Sequence, residues 1–195
     1  MKKAAGALAF ILSVSCSAGF VAKTNDAIIV STDTFRTVGQ ISRDEKTRET
    51  IKTLIRNNQD IFLKLNKQSN VGSYEVLVFN NVAMVVGTVY NQQSIDFIVR
   101  NIRKIPHVTE VINELFADEK PNRQVTKDFI IVKGIESKLK VKKSIKTINY
   151  EIAVVNGRAY VIGVVKNNEE LELLTKSIST VKGVTEVVSY VSVIA

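Results

Sequence analysis

The sequence predicts an α+β protein of two tandem α-β-β-α-β modules, each a three-stranded mixed sheet with two helices on one face. Three observations predict it. The chain matches itself without a gap at a shift of 76 residues, which places Tyr74-Glu75 on Tyr150-Glu151, Gly87 on Gly163, and Val108-Thr109-Glu110-Val111 on Val184-Thr185-Glu186-Val187. Asn156-Gly157 separates two β-branched runs, a strong hairpin signal because both residues tolerate positive φ. Flanking those runs, apolar residues recur at the spacing of a buried helical stripe.

In the second copy the first helix runs from Val125 to Lys140, with Ile131, Ile135 and Leu139 in one stripe and Val132 beside them. Strands Ile148 to Val155 and Arg158 to Val165 follow, then a helix from Asn168 to Val181 with Leu171, Leu174 and Ile178 on one face. Gly183 ends that helix, and Val184 to Ile194 reads as the last strand. The first copy repeats the order. Its first helix extends from Asp44 to Leu65, with Ile51, Ile55, Phe62 and Leu65 on one side. Its strands are Ser73 to Phe79, Val82 to Tyr90 and Val108 to Phe116, and its second helix is Gln92 to Ile105. Asn80-Asn81 holds the hairpin turn, and Pro106-His107 the turn that Lys182-Gly183 occupies later.

Strands this rich in valine and isoleucine imply a sheet covered by helices on one side. The third strand follows a helical crossover and so runs parallel to a strand of the hairpin. Each copy has about 70 residues, near the lower limit for a single core, so packing the two together would stabilise both.

The first residues bear on the compartment. Lys2 and Lys3, the eleven apolar residues Ala4 to Val14, and the small residues Ser13 to Ala18 have the layout of a secretory signal peptide. The apolar run is shorter than the roughly 20 residues a membrane span needs. Cys16 is the only cysteine, so an intramolecular disulfide is excluded. At the end of a signal peptide, Cys16 resembles the diacylated cysteine of bacterial lipoproteins, whose chains would suffice for stable anchoring. The other reading is ordinary cleavage near Ser15 or Ala18, giving a soluble periplasmic protein. Ser17 lacks the acidic character associated with inner-membrane retention, which points to the periplasmic face of the outer membrane.

The chain then divides into a signal peptide at 1–15, a lipidated N-terminus and tether at 16–43, a first module at 44–117, a linker at 118–124 and a second module at 125–195. Without Lys2 and Lys3, 25 basic residues of the 27 face 19 acidic ones, a balance of +6 that favours polyanionic partners. Export makes nucleic acid the least available of these and leaves anionic phospholipid or lipopolysaccharide as the expected partner.

The element order, the glycines that follow Val85-Val86 and Val161-Ile162, and the closing Gly183-Val184-Thr185-Glu186-Val187 resemble the BON domain of bacterial envelope proteins. Arg36-Thr37-Val38-Gly39-Gln40, just before the first helix, and Lys127-Asp128 are similar to a dual-BON lipoprotein of the outer membrane. The resemblance implies phospholipid binding through the start of the second module's first helix, and a role in envelope integrity. The helical wheel bears on the same place independently. With Ile131 at zero and about 100° per residue, Ile130 falls roughly opposite the core stripe and Phe129 at its flank. Lys127, Lys133, Lys138, Lys140, Lys142, Lys143 and Lys146 lie around and beyond them, with Glu136 the only acid from 133 to 146. An apolar wedge with basic neighbours suits peripheral binding to anionic lipid. The same residues also suit packing on the first module or docking on an envelope protein.

Chemistry is poorly provided for. The single histidine, His107, sits in a turn and has Gly183 as its counterpart. No residue grouping has zinc-ligand spacing, and no glycine run forms a phosphate loop. Glu75 with Glu110 and Glu151 with Glu186 recur, and read as exposed cross-strand partners of lysine rather than acid/base pairs. No enzyme activity and no cofactor are expected.

Overall fold

A computed structural model describes residues 22–24, 27–29, 34–67, 71–122 and 124–194. A short antiparallel ribbon, β1 (Ala22–Thr24) and β2 (Ala27–Ile29), precedes the first module. Helix α1 spans Val38–Asn57 and begins with a capping box: the Thr37 hydroxyl accepts from the Gln40 amide at 3.1 Å, and the Gln40 side chain accepts from the Thr37 amide at 2.7 Å. The helix therefore starts before Asp44, and Arg36–Gln40 supplies its cap and first turn instead of preceding it. It also stops earlier than expected. The Asn58 side chain donates to the Leu54 carbonyl at 2.6 Å while its amide bonds to Ile55, and this local competition breaks the helix. A second helix, α2 (Gln59–Asn66), continues from the break.

The rest of the first module is β3 (Gly72–Phe79), β4 (Val82–Val89), α3 (Gln92–Ile102) and β5 (Glu110–Ala117). The second module is α4 (Val125–Lys140), a single 3-10 turn at Thr147–Asn149, β6 (Tyr150–Val155), β7 (Arg158–Val165), α5 (Asn168–Ser179) and β8 (Glu186–Val193). Ile148, expected in a strand, lies in the 3-10 turn. Both sheets are mixed. β3 pairs antiparallel with β4 and β5 parallel with β4, and β6-β7-β8 repeats that pattern.

Each hairpin turn is held by a buried aspartate of the module's first helix. Asp44 accepts from the amides of Asn80 at 2.9 Å and Asn81 at 3.0 Å. Asp128 accepts from those of Asn156 and Gly157, both at 3.0 Å. All four turn residues have positive φ, which presents two consecutive N–H groups to one carboxylate. The turns are 76 residues apart and the aspartates 84, so the first copy carries eight extra residues after its clamp. Those residues accommodate α2. His107 and Gly183 share a positive φ, which explains why a histidine and a glycine alternate there. At Gly163 a Cβ would lie 2.4 Å from the Asn149 carbonyl oxygen, so only glycine admits the neighbouring chain.

Residues facing the helices form one core per module. Ile51, Ile55, Phe62, Val76, Val78 and Ile98 lie in the first, and Ile131, Ile135, Leu139, Val154, Val161 and Ile178 in the second. Alternate strand residues point the other way, where a third core joins the sheets face to face. Leu77, Phe79, Met84 and Val86 pack on Ala153, Val155, Tyr160 and Ile162. The layers run helix, sheet, sheet, helix, which accounts for strands that are apolar on both faces.

The strap before α1 reinforces this junction. The Arg36 guanidinium lies 4.7 Å from the Phe79 ring centroid and pairs with Asp44 at 3.2 Å and with Glu151 of the other module at 3.0 Å. Arg48 holds the second Glu151 oxygen at 2.7 Å. Glu151 is thus an inter-module ligand of two arginines, not the expected partner of a cross-strand lysine. Glu186 pairs across the sheet with Arg158, at 2.7 Å.

Two outcomes test this account. Asp128→Ala leaves the part-buried Asn156 amide and the buried Gly157 amide without this acceptor and should lower stability to urea by about 2–4 kcal/mol. A loss below about 0.5 kcal/mol would remove the clamp from the fold's essentials. Met84→Ala should cost about 3 kcal/mol, and the unaltered protein should melt in one calorimetric transition. Separate melting of the two modules would show that the third core does not couple them.

Candidate functional site

The start of α4 is fixed before its outward residues are considered. Gln124 donates its amide to the Asn156 side chain at 3.0 Å, the Asn156 amide group donates to the Asn122 carbonyl at 2.8 Å, and Asp128 grips the turn between β6 and β7. With Asp128 and Ile131 turned inward, the two residues between them must face away. Phe129 is 60% exposed and Ile130 64%. Neither is buried against the first module, the other reading the sequence allowed. Phe129 lines the rim of a crevice it shares with Arg48 and Lys52.

The structure brings only some of the expected lysines to this place. Lys127 is exposed on the same first turn. Lys133 sits with its ammonium 5.6 Å from the Phe129 ring centroid and 2.7 Å from Glu136. Lys138, Lys140, Lys142 and Lys143 lie toward or beyond the other end of α4. At 1.5 Å rise per residue, Lys138 is about 14 Å further along the axis than Phe129. Lys138 donates to the Thr180 hydroxyl at 2.5 Å, Lys142 is half-buried, and Lys140 and Lys143 are exposed. The lysines expected around and beyond the wedge thus form two clusters, Lys127 and Lys133 near the start of α4 and the others toward or past its far end. Cys16 lies outside the described residues.

Two apolar residues of this face were not expected. Val125, 59% exposed, stands one turn before Phe129 and completes an apolar patch with it and Ile130. The four-residue spacing was a usable signal. Val141, 75% exposed, follows Ile130 by eleven residues, which is three turns, and so lies on the same side of the helix among the distal lysines. Ending the helix at Lys140 left Val141 off the wheel.

The start of α1 in the first module carries no such patch. Aligned on the clamping aspartates, Glu45 and Lys46 stand where Phe129 and Ile130 stand in the second. The recurring glutamates do not form carboxylate pairs either. Glu75 lies opposite Val86 and Glu110 beside Val82, and the second copy repeats this with Glu151 at Ile162 and Glu186 at Arg158. Among the described residues no group of three or more metal-ligating side chains occurs, and no helix is long and apolar enough to cross a membrane.

Comparison with known proteins agrees with this duplicated architecture. The description "BON domain" matches residues 43–116 and 127–195. A protein of Anaplasma centrale named "Uncharacterized protein in gshII 5'region" is 30% identical over 137 residues, covering 67% of this chain and 91% of that protein. Among solved structures, the C-terminal domain of CdsD, a structural protein of the type III secretion system of Chlamydia trachomatis, is similar at 12% identity and a TM-score of 0.30, covering 73% of this chain and 67% of that one. A second structure of CdsD gives 10% identity and a TM-score of 0.31 over 73% and 63%. These superpositions are too loose to carry an argument. The family match covers both modules with their shared element order, turn clamps and strand glycines, and the chain belongs to the BON-domain family.

Proposed function

We propose that this is a non-enzymatic envelope protein that adheres to anionic phospholipid surfaces through the outer face of α4. Its two BON domains suggest an envelope-associated role. The observation that carries the finer reading is the exposed Val125, Phe129 and Ile130 patch, on a helix start that is anchored to the adjoining turn, beside Lys127 and Lys133. A rigid apolar wedge loses little conformational freedom on insertion. Burying a large apolar side chain is favourable by about 1.5–3 kcal/mol when complete, and each cation close to an anionic leaflet adds about 1 kcal/mol. Val141 lies on the same outward side with the exposed Lys140 and Lys143 near it, so α4 would lie flat in the interface with apolar contacts at both ends. Diacylation of Cys16 would keep this face beside the periplasmic leaflet of the outer membrane, where adhesion supports envelope integrity.

Flotation with vesicles tests the reading. Residues 34–195, which hold all three cores, should bind vesicles containing phosphatidylglycerol and release them as salt rises. Phe129→Glu with Ile130→Glu should weaken binding at least about tenfold, which is 1.4 kcal/mol or more. Equal binding to purely zwitterionic vesicles would overturn the proposal. Retained vesicle binding by the double variant, with loss of a protein partner, would favour an envelope adaptor instead. Labelling of cells with a fatty-acid analogue separately tests the anchor: the unaltered protein should incorporate label and Cys16→Ala should abolish it, whereas no incorporation by the unaltered protein would mean a soluble periplasmic protein.

A further inference from the structure

A groove of about 500 Å³ runs between α4 and the edge strand β6, and this part of the molecule is distinct from the Phe129 and Ile130 surface. Its apolar lining is Val132, Ile135, Leu139, Tyr150 and Ile152. Such a volume is within the range of about 300–1,000 Å³ usual for small-molecule sites, and an apolar lining with few polar groups is their usual character.

The charges at its mouth select among possible occupants. Two acids, Glu136 and Glu151, line the rim, and both are already paired: Glu136 with Lys133 at 2.7 Å, Glu151 with Arg36 at 3.0 Å and Arg48 at 2.7 Å. The remaining ionic group of the lining is Lys140, which has no acidic partner among the described residues. Tyr150 stays neutral, because burial pushes its phenol up to about 12. An apolar trough with one uncompensated cation suits one hydrocarbon chain with one negative head.

The first module shows that the fold does not require this groove to be so open. There the equivalent space, beside Ile55 and Tyr74, receives α2 from the eight-residue insertion. Phe62 of α2 is fully buried and meets Phe97 edge-on at 5.4 Å, leaving a smaller recess of about 370 Å³ rimmed by Lys52, Arg56 and Glu75. The second module has no corresponding helix, and its space is left unfilled.

We infer that the groove between α4 and β6 is a binding site for a single-chain anionic amphiphile, a long-chain carboxylate whose chain lies along Ile135, Leu139 and Ile152 and whose head pairs with Lys140. This inference does not rest on membrane adhesion. A hexadecanoate carrying a photoactivatable diazirine, cross-linked to the full chain and mapped by peptide mass spectrometry, tests it. Label should fall on residues 132–140 and 150–152. Val132→Trp, which fills the trough, and Lys140→Glu should each reduce that label at least about tenfold, and Lys140→Arg should restore it. Because Lys140 is at the surface, Lys140→Glu remains informative if Val132→Trp fails to fold. Phe129→Glu with Ile130→Glu should leave the groove label intact, so failure of vesicle adhesion and failure of this site read out separately. Label absent from these peptides, or unchanged by Lys140→Glu, would overturn the inference.

Discussion

The grip of one helix carboxylate on two consecutive turn amides is the interaction on which the rest of each module depends. A helix laid on a sheet can rotate about its axis and slide along it at modest cost, since apolar contact is not directional. Asp44 and Asp128 remove both freedoms. Each carboxylate is almost completely buried, and each spends both oxygens on a two-residue turn whose positive φ values present two donors together. Hydrogen bonds to a charged group contribute about 1.5–3 kcal/mol, and the buried carboxylate without them would be strongly unfavourable. Once the aspartate is placed, residues three, seven and eleven positions later, namely Thr47, Ile51 and Ile55 or Ile131, Ile135 and Leu139, must face the core. The residues immediately after it must face out. The exposure of Phe129 and Ile130 thus follows from the clamp and not from any preference of their own.

A second constraint operates between the modules. Two sheets covered by helices on one face would each leave an apolar face in water, and domains of this size have little stability to spare. Packing those faces together removes the problem for both at once. Arg36, just before α1, then joins two carboxylates: it pairs with Asp44, which already serves the first hairpin, and reaches Glu151 on the second module. The clamp of one module and the junction with the other are therefore one electrostatic network. Pairing is essential there, because an isolated buried carboxylate or guanidinium would be expensive to hold.

The internal repeat, the hairpins, the parallel third strand and the inward stripe of α4 were legible because each depends on periodicity or turn chemistry within a few residues. Features that depend on competition or on partners far along the chain were not. Asn58 breaks the first helix through a side-chain bond to Leu54 that hydrophobic spacing does not register. The early start of α1 was readable in principle, since Thr37-Val38-Gly39-Gln40 has the capping-box spacing, although its first turn lacks an apolar stripe. The third core was half legible: helices were expected on one side of each sheet and packing of the two copies was expected to stabilise both, but the face on which the copies meet was not assigned. In the site, outward placement of Phe129 and Ile130 was accessible from the wheel. The separation of the lysines into two clusters was accessible from the length read for α4, whereas the Lys138 bond to Thr180, just after α5, was not.

The asymmetry of the two copies has a physical origin in what duplication leaves unconstrained. Clamp, strand glycine and sheet register are required twice, and they are present twice. The outward positions after the aspartate are not required by the fold, and they have diverged completely, to Glu45-Lys46 in one copy and Phe129-Ile130 in the other. Exposed charges cost the first copy nothing, whereas two exposed large apolar side chains on a small protein invite association and need a partner to offset that tendency. The same logic applies to the helix-to-strand connection, where eight additional residues supply Phe62 to the first core while the second keeps its space open. The first departure leaves apolar side chains exposed on α4, and the second leaves the groove beside α4 open. One module has become the better-filled scaffold, and in the other the exposed Val125, Phe129, Ile130 and Val141 belong to α4 and its C-cap, on a helix whose orientation the clamp fixes.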